Sequence, residues 1–534
     1  MKIVPILLLS AWSATAEVTF NCTTNHGTIT INDFFSTNDV LTIPSTLHGM
    51  PVVSIEYDER EYYHFSTIRH DDLIEVNIPA TVTNIGYNSF LSGWTSESRN
   101  LVEIKVDPAN PRFSSVDGIL FNQDKTKLYI FPAAKKLQSY AVPDSVTLID
   151  WGAFSDCAHL TNVILGAKVA TLKEAAFGGC KNLTQLRIPK SVTCIEPGAL
   201  DDSLAIVVDA LNPAYCISDD VLWDKHQTTL IRLLRSKSDS YAVPKTVTNI
   251  GNFAFSSRHS LTNIVLGPQV TQIGNGAFRG CDKLVSLTLP AKIAFIGNYA
   301  FQSCTSLTQI KIPDRVTRIG TNAFAKCYQL TNVIFGDQVT NIEQGAFNDC
   351  RKLTHVTLSK NLVSIGSYAF RNCGLTNIFL GPQIKQLGPD AFSRCDKLTS
   401  LVLPDTITFI ENYAFQSCTS LTQIKIPDRV TRIGAGAFSR CYSLTNVDFG
   451  ENVTHIEEAA FSSCLNLTHV SLGRNLVSIG RYAFNKCGLT NVSIPKSVVS
   501  VGELAFGCDA ITNSPGPKAV TNLDRIVFPT NGLR

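Results

Sequence analysis

A phrase of about 23 residues recurs along most of this 534-residue chain, and it constrains the fold more than any other feature. Residues 307–327 read LTQIKIPDRVTRIGTNAFAKC, and later copies keep the same apolar letters with different polar residues between them. Self-similarity at a fixed period of this length predicts a repeat protein whose units stack into one continuous core. The letters that recur are Leu307, Ile310, Ile312, Val316, Ile319, Ala323, Phe324 and Cys327.

The repeat runs through most of the chain and includes a recent duplication. Its phenylalanine, or a substitute, occurs sixteen times between Phe90 and Phe506, with most steps equal to 23 residues. A block of five repeats occurs twice, because residues 299–320 and residues 413–434 are identical. A copy number that changes so easily favours a spacer or a binding surface over a catalytic site.

Alternation within one repeat predicts how each coil folds. Ile310 and Ile312 point to one side of a strand, whereas Gln309 and Lys311 point to the other. The Val-x-x-Ile segment predicts a second short strand, and the Ala-Phe-x-x-Cys segment suits one face of a short helix. We therefore predict an α/β solenoid with a parallel β-sheet of one strand per coil, plus a second short strand and a short helical turn.

Departures from the repeat predict the domain boundaries. Lys2, an apolar stretch and Ala14-Thr15-Ala16 are typical of a signal peptide over residues 1–16, cleaved after Ala16. We assign residues 17–72 to a capping region, 73–510 to the solenoid and 511–534 to a tail or cap, with stretched coils near 101–145 and 203–245. No later run of about 18 apolar residues predicts a membrane span.

Composition excludes some classes of partner. The formal charge is only +2, so neither a nucleic-acid partner nor an acidic membrane surface is indicated. We expect an exported monomer that is secreted or placed at the cell surface, and whose partner is a protein or a glycan on a cell surface or in the extracellular matrix.

The phrase Leu-x-x-Ile-x-Ile-Pro-x-x-Val-x-x-Ile-Gly-x-x-Ala-Phe-x-x-Cys resembles the BspA-type leucine-rich repeat of bacterial surface proteins. The lead-in and both stretched coils resemble that family as well, so the resemblance covers about nine tenths of the chain that follows the signal peptide. It implies a leucine-rich repeat solenoid and a non-catalytic role in adhesion or protein binding. The chain departs from the family's habit at YDEREYYHF, within the capping region.

Thirteen of the sixteen cysteines occupy the last position of the repeat. Neighbouring coils would bring their Cα atoms close enough for a disulfide, but parallel Cβ vectors would hold the Cβ atoms too far apart. Arg258 fills the same position once. We therefore predict a column of buried thiols that act as small apolar groups. Cys194 and Cys216 lie outside this position, and whether they form a disulfide stays open.

The sequence offers little for catalysis or metal binding. His64, His70, Asp71 and Asp72 form the one dense titratable cluster, and a solvated edge of the cap explains it better than a metal site. Neither His-Glu-x-x-His nor Gly-x-Ser-x-Gly occurs. We expect no enzyme activity, no cofactor and no metal.

The outward positions of the first strand are where a ligand would be recognised. Amides and hydroxyls there flank isolated apolar side chains, among them Val265, which suits a protein or glycan face. Three alternatives remain: a spacer or surface-layer protein without a ligand, a glycan-binding module, and apolar residues that reflect strand propensity alone. The predicted site residues are Asn332, Ile334, His355, Asn377, Phe379, Val402, Gln423 and Lys425.

Overall fold

The computed structural model describes residues 18–36, 38–56, 73–86, 100–201, 204–234, 239–507 and 526–527. They belong to two compact units that divide after Lys225, called unit 1 and unit 2. The predicted signal peptide, the cluster from His64 to Asp72, Phe90 and Cys508 lie outside the described residues.

Each regular coil contributes a strand to a front column, to a back column, or to both, as the repeat predicts. The Leu-x-x-Ile-x-Ile strands form a front column in each unit. Its members in unit 1 are Val40–Thr42, Glu75–Ile78, Glu103–Val106, Ser139–Ala141, Asn162–Ile164, Gln185–Ile188 and Ala205–Val208. Its members in unit 2 are Ser240–Ala242, Asn263–Val265, Gln309–Lys311, Asn332–Ile334, His355–Thr357, Asn377–Phe379, Ser400–Val402, Gln423–Lys425, Asn446–Asp448, His469–Ser471 and Asn491–Val492.

The Val-x-x-Ile segments form the back column, whose strands are only two residues long. Those of unit 1 are Asn84–Ile85, Leu148–Ile149, Thr171–Leu172 and Cys194–Ile195. Those of unit 2 are Asn249–Ile250, Gln272–Ile273, Phe295–Ile296, Arg318–Ile319, Asn341–Ile342, Ser364–Ile365, Gln386–Leu387, Phe409–Ile410, Arg432–Ile433, His455–Ile456, Ser478–Ile479 and Ser500–Val501. Pairing between successive coils is parallel in both columns.

Antiparallel strands occur where the repeat departs from its pattern. In unit 1, Val18–Asn25 pairs with Thr28–Ser36, and Thr46–Leu47 pairs with Met50–Ile55. In unit 2, Ile526–Val527 pairs with the last front strand. Such pairing covers strand edges that would otherwise present unpaired backbone groups. The stretched coils add Phe113–Val116, Ile119–Asn122, Lys127–Ile130, Tyr215–Ser218, Val221–Asp224 and Thr229–Leu233.

A stack of phenylalanine rings fills the core between the two columns. From Phe255 to Phe506 in unit 2, successive rings lie nearly parallel, with centroids 5.0–5.6 Å apart. Within unit 1, the rings of Phe154 and Phe177 are likewise stacked, with centroids 5.0 Å apart. The stack explains the period, because each coil must place one ring directly over the previous one.

The prediction of a short helical turn in each coil is wrong, because the described residues contain no helix. The backbone N–H of Phe324 donates to Ala346 O of the next coil at 2.7 Å, whereas the N–H of Ala325 donates to Asn322 O at 3.1 Å. Asn322 also has a φ of 52°, in the left-handed region that breaks a helix. A helix would direct its N–H groups along its own axis, but here alternate N–H groups join neighbouring coils.

The column of buried cysteines is confirmed, and the structure shows that each thiol also donates a hydrogen bond. Cys327 Sγ lies 3.2 Å from the carbonyl oxygen of Phe301 in the preceding coil. The other repeat-position cysteines in the described part of unit 2 lie 3.0–3.3 Å from the corresponding carbonyl oxygens. Arg258 fits the position because its Nη2 donates to Leu233 O at 2.7 Å. Cys194, which is exposed, and Cys216 do not form a disulfide, and Cys216 Sγ donates instead to Asp224 O at 3.6 Å.

Buried asparagines explain the Asn-Pro motif of the two stretched coils. The amide nitrogen of Asn212 donates to Pro189 O and Val192 O, and its Oδ1 accepts from the backbone of Ala214 and Tyr215, all at 2.8–2.9 Å. Asn110 makes the equivalent four bonds in the other stretched coil. Each amide thereby fixes the chain where it leaves the regular repeat.

Asn212→Asp should lower the free energy of unfolding by about 1–3 kcal/mol, because a carboxylate cannot donate to the two buried carbonyl groups. Urea denaturation followed by circular dichroism measures the loss. Asn466→Asp, at an exposed position, is the matched control and should be nearly neutral. Equal midpoints for the two variants would contradict this account.

Candidate functional site

The front column of unit 2 presents two rows of outward side chains. In each three-residue strand the central residue points into the core, and its neighbours face solvent. The side chains at the first residue of each strand form the first row. Those at the third residue form the second row. All eight predicted site residues lie in these rows: Asn332, His355, Asn377 and Gln423 in the first, and Ile334, Phe379, Val402 and Lys425 in the second.

Phe379 and Val402 form the most exposed apolar pair of this surface. They are direct partners across two parallel strands, with 77% and 73% of their surface exposed. No other large apolar side chain in the described part of unit 2 is as exposed. Strand propensity accounts for an apolar residue here, but adjacent exposed apolar groups are also typical of binding surfaces.

The ladder is open on both sides of this pair. Asn377–Phe379 and Ser400–Val402 pair only with each other, although residues 239–507 are described throughout. The coil before them is one residue short, and a Cβ on Gly374 would clash with the carbonyl oxygen of Arg351. The largest ring separation in the described stack of unit 2, 5.6 Å between Phe392 and Phe415, also lies here. The exposed pair therefore lies between two interruptions of the front ladder.

Ile334 and Asn332 lie elsewhere on the same face, at the edge of a groove of about 520 Å³. The groove lies where the front column is interrupted, since Ser286 makes only single bridges to Asn263 and Gln309. Inward leucines replace the usual β-branched residues in this coil, which weakens its strand propensity. The polar residues lining the groove are Ser286, Thr288, Gln309, Lys311, Asp314 and Asn332.

The remaining predicted residues occupy separate positions along the column. His355 Nδ1 lies 2.8 Å from the hydroxyl of Thr354. Gln423 and Lys425 are exposed and face Asn446 and Asp448 on the next strand. The eight residues thus share one face without forming one pocket. The groove residues Thr288, Lys311 and Asp314 are not among the eight predicted site residues. The leucines at positions 287 and 289 are the sequence signal that could have indicated this interruption of the front column.

The described residues show no arrangement suited to metal chemistry. Among them, no group of three or more His, Cys, Asp or Glu side chains is placed to hold a metal ion. Burial raises the pKa of the Cys395 thiol to about 12 and also raises the pKa values of Cys304 and Cys350. These thiols stay protonated at neutral pH and are poor nucleophiles. Among the same residues, no helix has the length and apolar character to cross a bilayer.

Comparison with known proteins supports the expected family. A model of the BspA type leucine rich repeat region matches this chain in six copies, over residues 122–208, 235–354, 340–468 and 431–534. A search of the curated proteins finds no match.

Solved structures of bacterial repeat proteins are similar to this chain. A leucine-rich repeat protein from Bacteroides ovatus is 21% identical, with 93% of this chain and 92% of that chain covered and a TM-score of 0.34. A leucine rich cell surface protein from Faecalibacterium prausnitzii is 24% identical, with coverage of 82% and 95% and a TM-score of 0.26. The pneumococcal vaccine antigen PcpA is 18% identical, with coverage of 71% and 94% and a TM-score of 0.37.

Proposed function

Because this chain belongs to the BspA-type leucine-rich repeat family, we propose that it binds another protein through its front column, with Phe379 and Val402 as anchors. The protein is a non-catalytic adhesion or binding protein. Its signal peptide is cleaved after Ala16 on export, and the mature chain is held at the cell surface or secreted. The observation that carries the proposal is the exposure of these two adjacent apolar side chains, the most exposed large apolar residues in the described part of unit 2.

Burial of this pair would supply much of the binding energy. Complete burial of a phenylalanine or valine side chain contributes about 1.5–3 kcal/mol each. A few central apolar residues usually dominate a protein interface, whereas the polar surroundings mainly exclude water and fix orientation. Asn377 and Ser400 can fill the second role, since both lie in the first row beside the anchors. The open ladder around the pair would let these strands adjust to a partner.

The double variant Phe379→Asp, Val402→Asp should reduce capture of the partner at least tenfold, because two charges would replace the apolar anchor. Purified wild-type and variant proteins are immobilised and exposed to cell-surface extracts, and the retained protein is quantified. Phe409→Asp is the matched control, because Phe409 is 51% exposed but lies in the back column. Unchanged circular dichroism establishes that each variant folds.

Equal capture by the double variant and by the Phe409 control would contradict the proposal. The spacer alternative, which the identical blocks at 299–320 and 413–434 favour, would then explain the chain better. A glycan-binding role would instead appear as capture that survives protease treatment of the extract and is abolished by glycosidases.

A further inference from the structure

We propose that unit 2 has two equivalent peptide-binding sites, one at the groove beside Lys311 and one beside Lys425, and that it binds two copies of one extended peptide segment of its partner. The inference rests on the proposed function, and it adds the number of sites and the chemistry of the ligand.

The duplicated blocks keep one outward row and change the other. Comparison of residues 261–374 with residues 375–488 shows an identical first row, read as Asn, Ser, Gln, Asn and His in both blocks. The second row differs in four of its five positions, and lysine is the residue retained, at Lys311 and Lys425. The first row is exposed except for the half-buried Asn332, so both blocks present the same kinds of hydrogen-bonding group to solvent.

The front ladder opens at the same place in both blocks. In the first block, a single bridge joins Ser286 to Gln309. In the second block, the equivalent strands Ser400–Val402 and Gln423–Lys425 belong to different ladders. The inward side chains of the first coil at each boundary are leucines, Leu287 and Leu401 among them. The two copies therefore share a backbone feature as well as surface residues.

The polar groups at each opening suit a peptide. Gln309, Lys311 and Asp314 line the first site, and Gln423, Lys425 and Asp428 are their counterparts in the second. A side-chain amide both donates and accepts hydrogen bonds, as a peptide backbone requires. Both lysines are exposed, so each can pair with a carboxylate of the ligand. A nearby aspartate at both sites disfavours a polyanionic ligand.

The distance between the sites fits two bound segments. Five steps of the phenylalanine stack, from Phe324 to Phe438, separate them, which corresponds to about 27 Å. An extended peptide would need about eight residues merely to span that distance. Two copies of a short segment can therefore bind without overlapping, and a partner that displays the segment twice would gain avidity.

The sites are not identical, which predicts a difference in affinity. Thr288, Ala291 and Ile334 of the first groove correspond to Val402, Asp405 and Asp448 in the second block. Ile334 lies beside Lys311 on the next strand, whereas Asp448 lies beside Lys425. The first site therefore favours an apolar side chain next to the ligand carboxylate. The second favours a basic one, and its lysine is partly compensated by the adjacent aspartate, so it should bind acidic ligands more weakly.

Selection of peptides tests the inference without knowledge of the natural partner. A phage-displayed library of random 12-residue peptides is panned against the full chain, and the enriched peptides are titrated by calorimetry. We expect two peptides bound per chain for the wild type. Lys311→Glu and Lys425→Glu should each leave one, and the double variant none. Lys326→Glu, on an exposed turn outside both sites, is the matched control and should still bind two.

One bound peptide in the wild type, or two in both single variants, would overturn the inference. If glycans on an array bind the chain and no peptide is enriched, the inference is also wrong. The proposed function is tested separately, since Phe379→Asp, Val402→Asp can abolish capture of the whole partner while the number of peptide sites is one.

Discussion

Phe347→Ala should lower the free energy of unfolding of unit 2 by about 3–5 kcal/mol. Its ring is fully buried between those of Phe324 and Phe370, at centroid distances of 5.1 and 5.4 Å, and Phe335 packs edge-on against it at 5.7 Å. The substitution would leave a cavity that neighbouring coils cannot close, because hydrogen bonds on both sides of the ring fix their spacing. Guanidinium denaturation followed by far-ultraviolet circular dichroism measures the change.

Phe379→Ala is the control for this substitution, since it removes the same ring from an exposed position and should cost less than about 0.5 kcal/mol. A solenoid is stabilised mainly by contacts between neighbouring coils, so the Phe347 variant should also broaden the transition of unit 2. A loss below 1 kcal/mol would mean that the strand ladders, and not the ring stack, hold the coils together.

Unit 2 should lose stability steeply as the pH rises above 9, because its buried thiols cannot ionise in the folded state. Desolvation raises the pKa of Cys395 from 9.0 to about 12, and it raises the pKa values of Cys304, Cys350 and Cys373 as well. A group whose pKa is higher in the folded state stabilises the fold fully below its unfolded pKa. That contribution is lost as the pH rises from about 9 toward the folded pKa.

Each such thiol adds about 1.4 kcal/mol per pH unit to the loss above pH 9. Lysines and tyrosines also titrate in this range, so the comparison must be made between variants. The triple variant Cys304→Ser, Cys350→Ser, Cys373→Ser keeps a donor for each phenylalanine carbonyl but does not ionise. Its stability, measured by urea denaturation from pH 8 to 11, should fall less steeply than that of the wild type.

Cys194→Ser is the matched control for the pH series, because Cys194 is exposed and lies outside the repeat position. Its stability should follow the wild-type pH dependence. Parallel curves for the wild type and the triple variant would show that the thiols do not control alkaline unfolding.

Much of the candidate site followed from the sequence, because side chains alternate along a strand with a period of two. That alternation by itself places Phe379 and Val402 on the solvent side, and the structure shows both exposed. The repeat also identified the side chains of the core, since apolar letters that recur every 23 residues must stack. Family and solenoid architecture were determined in the same way.

The tertiary structure decided the features that depend on contacts between coils. Whether the Ala-Phe segment forms a helix depends on where its N–H groups donate, and their acceptors lie about 22 residues away, as for Phe324 and Ala346. Whether a repeat-position thiol donates a hydrogen bond depends on a carbonyl group 26 residues earlier, as for Cys327 and Phe301. The openings of the front ladder depend on how neighbouring strands pair, which no repeat letter specifies. A linear pattern specifies which residues are buried, but the hydrogen bonds between coils are set only when the coils are stacked.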